Sequence, residues 1–160
     1  MQFKIIPAYN YPEQVYELFT EYTDMLIEGD PEFKNYLNLQ NYDDELKHLE
    51  KKYEMPDGRL YLIYFNDVLA GCIGLRKIDD DNCEIKRLYV RPQFRRKHIG
   101  HILVEHIIND AELIGYNHIL LDTLPFLHTA IQMYKGFGFY EIESYNNSPM
   151  DSLIYLKYDI

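Results

Sequence analysis

The chain is short of long apolar runs, of cysteine, of positive charge and of repetition, and each shortage closes a class of function. No apolar stretch approaches the roughly 20 residues of a membrane-spanning helix, so no membrane partner is expected. The opening MQFKIIPAYN lacks the charged, apolar and cleavage-site order of a secretory signal, which points to a cytoplasmic protein. Cys72 and Cys83 are the only cysteines. Both lie in apolar, strand-like text without clustered His or Cys neighbours, so they read as buried thiols rather than a disulfide or a metal site. His48, His101, His106 and His118 form no zinc spacing, and His128 reads as a packing or surface residue; no metal is expected. Lys and Arg number 16 against 26 Asp and Glu, a formal charge of -10 at pH 7. That field opposes nucleic acid and anionic membranes. A small anion still senses local donors more than the average charge.

No period repeats and no segment is compositionally simple. The 160 residues, 47% hydrophobic, suffice for one domain, 1–160, with a real core. Residues 1–6 predict a starting or edge strand, and Pro12 opens a helix to about Ile27 with Val15, Leu18, Phe19, Tyr22 and Leu26 on its apolar stripe. Gly29, Asp30 and Pro31 stop it. FKNYLNLQN (33–41) reads either as a broken helix or as an ordered loop over a pocket. A helix is predicted over 42–51, with Leu46 and Leu49 inward and Asp43 and Asp44 near its positive end. Three strands follow, 60–65, 68–76 and 83–90, joined by the short turns ND and DDDN into an antiparallel meander. A helix over 99–113, ended by Gly115, leads to a strand at 118–122 that can lie parallel in the same sheet through a right-handed crossover. A helix at 127–135, ended by Gly136, precedes strands at 139–144 and 153–158. The fold class is α/β, a mixed, mostly antiparallel central sheet flanked by helices.

This architecture puts RPQFRRKHIGH (91–101) in a strand-to-helix connection. Arg95, Arg96 and Lys97 can attract an anion there, while a helix start presents unsatisfied N–H donors, the arrangement that binds phosphate oxygens. Gly100 permits close approach. A solvated basic turn is the competing reading of the same residues.

The text CEIKRLYVRPQFRRKHIGHIL, followed by LDTLPFLHTAIQMYKGFGFYEI and preceded by LAGCIGLRKI, resembles the GNAT superfamily of N-acetyltransferases. The resemblance covers most of 58–160 and implies an acyl-CoA N-acyltransferase-like fold that binds acetyl-CoA and transfers its acetyl group to a primary amine in a ternary complex. The family's pyrophosphate signature, Gln or Arg, any two, Gly, any one, Gly or Ala, falls on Arg95, Arg96, Lys97, His98, Ile99 and Gly100. His98 replaces the first glycine. A glycine-only backbone there would compromise the site, whereas mere crowding would let the imidazole point outward and add a donor.

The resemblance implies cofactor binding by Leu88, Tyr89 and Val90, whose backbone would meet the thioester oxygen and the pantetheine arm, and by Arg95 to His101. It implies Tyr134 as the acid that protonates the leaving sulfur and Glu84 as the base or water-positioning residue; the bland alternatives are a packing tyrosine and a solvated strand carboxylate on the same face as Lys86. Tyr22, Phe33, Tyr36 and Asp122 are the candidate acceptor-binding residues, with Asp122 and Thr123 alternatively serving local backbone bonding. The acceptor is expected to be a small-molecule amine, with a protein amine as the variant, and the family admits a homodimer. A noncatalytic acetyl-CoA-binding or regulatory domain of the same fold is the rival reading.

Overall fold

The computed structural model describes residues 2–39, 41–146, 150 and 152–160. Met1 of the expected first strand, Gln40 of the FKNYLNLQN stretch and the expected inward side chain of Leu49 lie outside what is described. The described residues form a seven-stranded sheet of β1 (Phe3–Pro7), β2 (Arg59–Phe65), β3 (Val68–Lys77), β4 (Asn82–Val90), β5 (His118–Thr123), β6 (Tyr140–Ile142) and β7 (Ile154–Asp159). Its spatial order is β1-β2-β3-β4-β5-β7-β6. Strands β2 to β4 form the antiparallel meander that the short turns imply, β1 pairs antiparallel with β2 across the intervening helices, and β4 pairs β5 in parallel. β7 enters between β5 and β6, antiparallel to both.

Side-chain alternation sends the two faces of the sheet to different helices. Ile63, Ile73, Cys83, Ile85 and Ile119 pack against α5 (Ile99–Ile114) through Leu103, Val104, Ile107 and Ala111. Leu60, Leu62, Cys72 and Tyr89 pack on the other face against α1 (Pro12–Gly29) through Val15, Leu18 and Phe19. Burying each such Leu, Ile or Phe stabilises the fold by roughly 1.5–3 kcal/mol. Both cysteines are free and buried, and burial pushes each thiol up to about 12.

Two expected helices are redrawn. The 42–51 helix is two, α3 (Tyr42–Lys47) and α4 (Leu49–Tyr53), because His48 leaves helical geometry at φ -137. The 33–41 stretch contains α2 (Phe33–Leu39), the helical of its two readings. The last helix, α6 (His128–Phe137), runs through Gly136, and Gly138 at φ +111 ends it instead. Gly115, also at φ +111, ends α5 as the sequence implies. Among the described residues no helix is long and apolar enough to cross a membrane.

Two irregularities of β4 position the site. Cys72 faces Tyr89 and Gly74 faces Lys86, so Arg87 and Leu88 together oppose Ile73 and make a β-bulge, with Arg87 at φ 59. Gly71 is required beside it, since a Cβ there would lie 2.3 Å from the Tyr89 carbonyl oxygen. Gly74 makes room for the ring of Tyr53, which a Cβ would approach to 2.7 Å. The second irregularity is the β4–β5 ladder, which pairs Asn82 with His118, Cys83 with Ile119 and Glu84 with Leu120 and goes no further. Beyond Glu84 the two strands part.

Candidate active site

The parting of β4 and β5 opens a cleft of about 940 Å³, a volume typical of small-molecule sites. Ile85 to Val90 of β4 form one wall and Leu121 to Thr123 of β5 the other. α6 contributes His128, Gln132, Met133 and Tyr134, while α1 and α2 close one side with Tyr22, Met25, Leu26 and Phe33. The mouth is the basic turn.

After β4 the chain makes a short 3-10 turn, Pro92–Phe94, and reaches α5 through Arg96 at φ 65 and His98 at φ 61. His98 is thus in the left-handed conformation that a glycine takes without cost, but histidine enters it more readily than most residues, so the departure from the family signature strains the turn without breaking it. No side chain caps α5, so the N–H groups of its first turn have no partner within the helix or from a cap. A Cβ at Gly100 would sit 3.5 Å from Met133 Sδ and 3.9 Å from Val90 Cγ2, ordinary contact distances. Glycine there widens the cleft wall rather than relieving a clash. Arg95 Nε donates to the Val90 carbonyl at 3.3 Å and an Nη donates to Met25 Sδ at 3.4 Å, tying the turn to β4 and α1. Of Arg95 to His101, Lys97 is the exception: its ammonium lies 5.1 Å from the Phe65 ring centroid and does not line the cleft.

At the inner end Tyr134 is buried against Phe139, and burial raises its hydroxyl well above the ordinary tyrosine range, with Tyr22 adding to the effect. Among the described residues nothing hydrogen-bonds that hydroxyl. Asp122 faces the cleft from β5; the hydroxyl of Tyr36 and Asn146 Nδ2, at 3.0 Å, donate to its Oδ2. Tyr36 is one layer behind the wall, whereas Tyr22 and Phe33 are in it.

Glu84 stands behind the cleft wall and is 1% exposed. Arg76 Nε donates to its Oε1 at 2.6 Å and the Tyr145 hydroxyl donates to its Oε2. Burial would raise its pKa, but Lys86, Arg76 and the Tyr145 hydrogen bond outweigh burial and lower it. The solvated-face reading of Glu84 and Lys86 also gives way, because β4 is flanked by β3 and β5 and covered by helices on both faces.

Sequence reading passed over three features of this region. Lys86, 7% exposed, lines the cleft. Behind it Glu45 receives hydrogen bonds from Arg87 at 3.0 and 2.9 Å, from Lys52 at 2.6 Å and from the Tyr53 hydroxyl at 3.0 Å. Arg91 pairs with both Glu17 and Glu21, clamping the end of β4 to α1. The alternation of Glu84 and Lys86 becomes a signal only once β4 is known to be a central strand. Among the described residues no group of three or more His, Cys, Asp or Glu is arranged to hold a metal ion.

The chain resembles known proteins both in sequence and in fold. The chain is 33% identical to an uncharacterised N-acetyltransferase of Dictyostelium discoideum, over 93% of this chain and 94% of that one. Its fold matches the PaiA N-acetyltransferase of Thermoplasma acidophilum in complex with coenzyme A, with TM-score 0.76, 17% identity and full coverage of both chains. It matches a GNAT family acetyltransferase of Elizabethkingia anophelis with acetyl-CoA bound at TM-score 0.65 and 20% identity, over 99% of this chain and 98% of that one. The model of the acetyltransferase (GNAT) family matches residues 13–139, which span the cleft from α1 to the end of α6, and the chain belongs to that family.

Proposed function

We propose that the chain, acting as one domain in the cytoplasm, is an N-acetyltransferase that moves the acetyl group of acetyl-CoA to a primary amine of a small molecule. The observation that carries this reading is the continuity of the cleft: one cavity joins the cationic turn at the start of α5, the split edge of β4 and the Tyr134 hydroxyl. The bound coenzyme in the two structural neighbours is consistent with it. When bound, acetyl-CoA supplies an acyl group activated as a thioester.

Arg95, Arg96 and the first N–H groups of α5 hold the pyrophosphate in this reading, with His98 and His101 beside them. The backbone of Leu88 to Val90, freed from β5, offers hydrogen bonds to the pantetheine arm and a donor to the developing oxyanion. Tyr134 holds its proton at neutral pH and is the acid that can protonate the departing sulfur. Glu84 serves as a positioning residue for Tyr145 and Lys86, and the acceptor nitrogen loses its proton to water in the cleft. Tyr22, Phe33 and Asp122 form the acceptor side.

Calorimetric titration with acetyl-CoA tests the reading. Saturable binding is expected, weakened at least tenfold in a folded protein carrying Arg95→Ala and Arg96→Ala together, since each charged hydrogen bond contributes about 1.5–3 kcal/mol. A folded wild type that binds no acetyl-CoA, or one that binds it but releases no thiol with any amine, overturns it.

A further inference from the structure

One cation in the cleft is left over once the donor's binding elements and the buried ion pairs are assigned. Arg87 gives two hydrogen bonds to Glu45, Lys52 gives one to the same carboxylate, and Arg76 is bonded to Glu84. Lys86 is different. Its ammonium carries three donors, yet among the described residues it makes no hydrogen bond, and its nearest carboxylate, Glu84, stands 4.0 Å away and is already engaged by Arg76 and Tyr145. The side chain is 7% exposed and lines the cavity. The ammonium faces the cavity rather than being sealed without a partner, so its donors are open to an anionic group of a ligand. Burial also lowers its pKa, with Arg87 adding to the effect and Glu84 and Asp122 opposing it.

We infer that Lys86 receives a carboxylate of the acceptor, so that the acceptor is a small amine carrying a carboxylate close to the reacting nitrogen, as an amino acid does. The inference rests on the transferase reading above. Lys86 lies two residues before Leu88, across the bulge at Arg87 and so closer to the backbone assigned to the thioester than the roughly 7 Å that two extended residues span, and toward the end where β4 still pairs with β5. That spacing suits a molecule whose nitrogen and carboxylate are separated by one to a few carbons. Asp122 on the facing strand adds a negative group to the same cavity, so the walls present both signs, matching a zwitterion rather than a simple anion or a polycation. A zwitterion has no net charge for the chain's -10 to repel.

The test measures thiol release from acetyl-CoA with L-amino acids and with the corresponding amino amides, which keep the amine and side chain and lose the carboxylate. It is run on wild type, Lys86→Met and Lys86→Arg, with calorimetry of the same acceptors on the coenzyme A-saturated protein. Wild type is expected to favour at least one amino acid over its amide by tenfold or more, chiefly in KM and in Kd. Lys86→Met is expected to bring that ratio to about one, and Lys86→Arg to keep part of it. Amides used as well as the acids, or a Lys86→Met ratio equal to wild type, overturns the inference and leaves the transferase reading standing. No thiol release with either set, by protein that binds acetyl-CoA and releases thiol with another amine, overturns the inference alone; no release with any amine overturns both. Should Lys86→Met fail to fold, the acid-to-amide ratios of wild type and Lys86→Arg still decide.

Discussion

A buried hydroxyl whose pKa is raised keeps its proton at neutral pH and is a weaker acid than a free tyrosine, and Tyr134 is such a group. Replacing it with Phe is expected to lower kcat about 100-fold, within the usual range for a general acid, while leaving acetyl-CoA affinity within twofold of wild type in calorimetry. Glu84 should behave oppositely. If solvent takes the amine's proton, the rising limb of kcat/KM against pH follows the acceptor's own pKa, and Glu84→Gln leaves that limb in place while lowering thermal stability; a limb that stays fixed when acceptors of different basicity are exchanged, and vanishes in Glu84→Gln, restores Glu84 as the base. The cationic turn and Tyr134 were legible in sequence because they are contiguous with a family motif. Lys86 was not, since the alternation of a charged pair along a strand looks the same whether the strand is at the edge or in the middle, and strand order is a nonlocal property.

At the scale of elements, the turn and the bulge carry the strain. Exchanging His98 for Gly removes a left-handed non-glycine residue that costs roughly 1–2 kcal/mol, offset in part by the greater freedom of glycine in the unfolded chain. A net gain of about 0.5–1 kcal/mol in denaturant unfolding is expected, with acetyl-CoA binding no weaker than wild type; a loss of stability would mean that the imidazole makes a contact worth more than the strain. Gly71→Ala pushes a methyl into the Tyr89 carbonyl, and since backbone cannot swing aside, a loss of about 1–3 kcal/mol is expected together with weaker acetyl-CoA binding, because the bulge carries the donor-facing backbone. The order of elements from β2 to α6 could be read from periodicity and turn residues. The break between α3 and α4 could not, since His48 has no helix-breaking chemistry of its own and the corner is set by Glu45 reaching back to Arg87 and Lys52.

For the molecule as a whole, Glu45 ties α3 and α4 to the middle of the sheet, and its titration is a global property. Burial alone would raise its pKa, but Arg87 and Lys52 outweigh it and hold the group at about 2 against an ordinary 4.5. Folding therefore expels a proton between these values, so the contribution is full above pH 4.5 and disappears as pH falls toward 2, about 3 kcal/mol in all. Urea midpoints measured across this window are expected to fall with acid in wild type and to fall less steeply in Glu45→Gln, which starts some 3–5 kcal/mol less stable because Arg87 is left buried without its anion. The seat of β7 between β5 and β6 has a consequence for synthesis. On the ribosome β1 to β4 can pair as they emerge, but β5 must wait roughly 30 residues for the strand that covers its outer edge. During that interval a nascent chain presents an unpaired apolar edge, Ile119, Leu120 and Leu121, to any other strand nearby. Slow translation through 124–153 should thus favour chaperone capture over free folding.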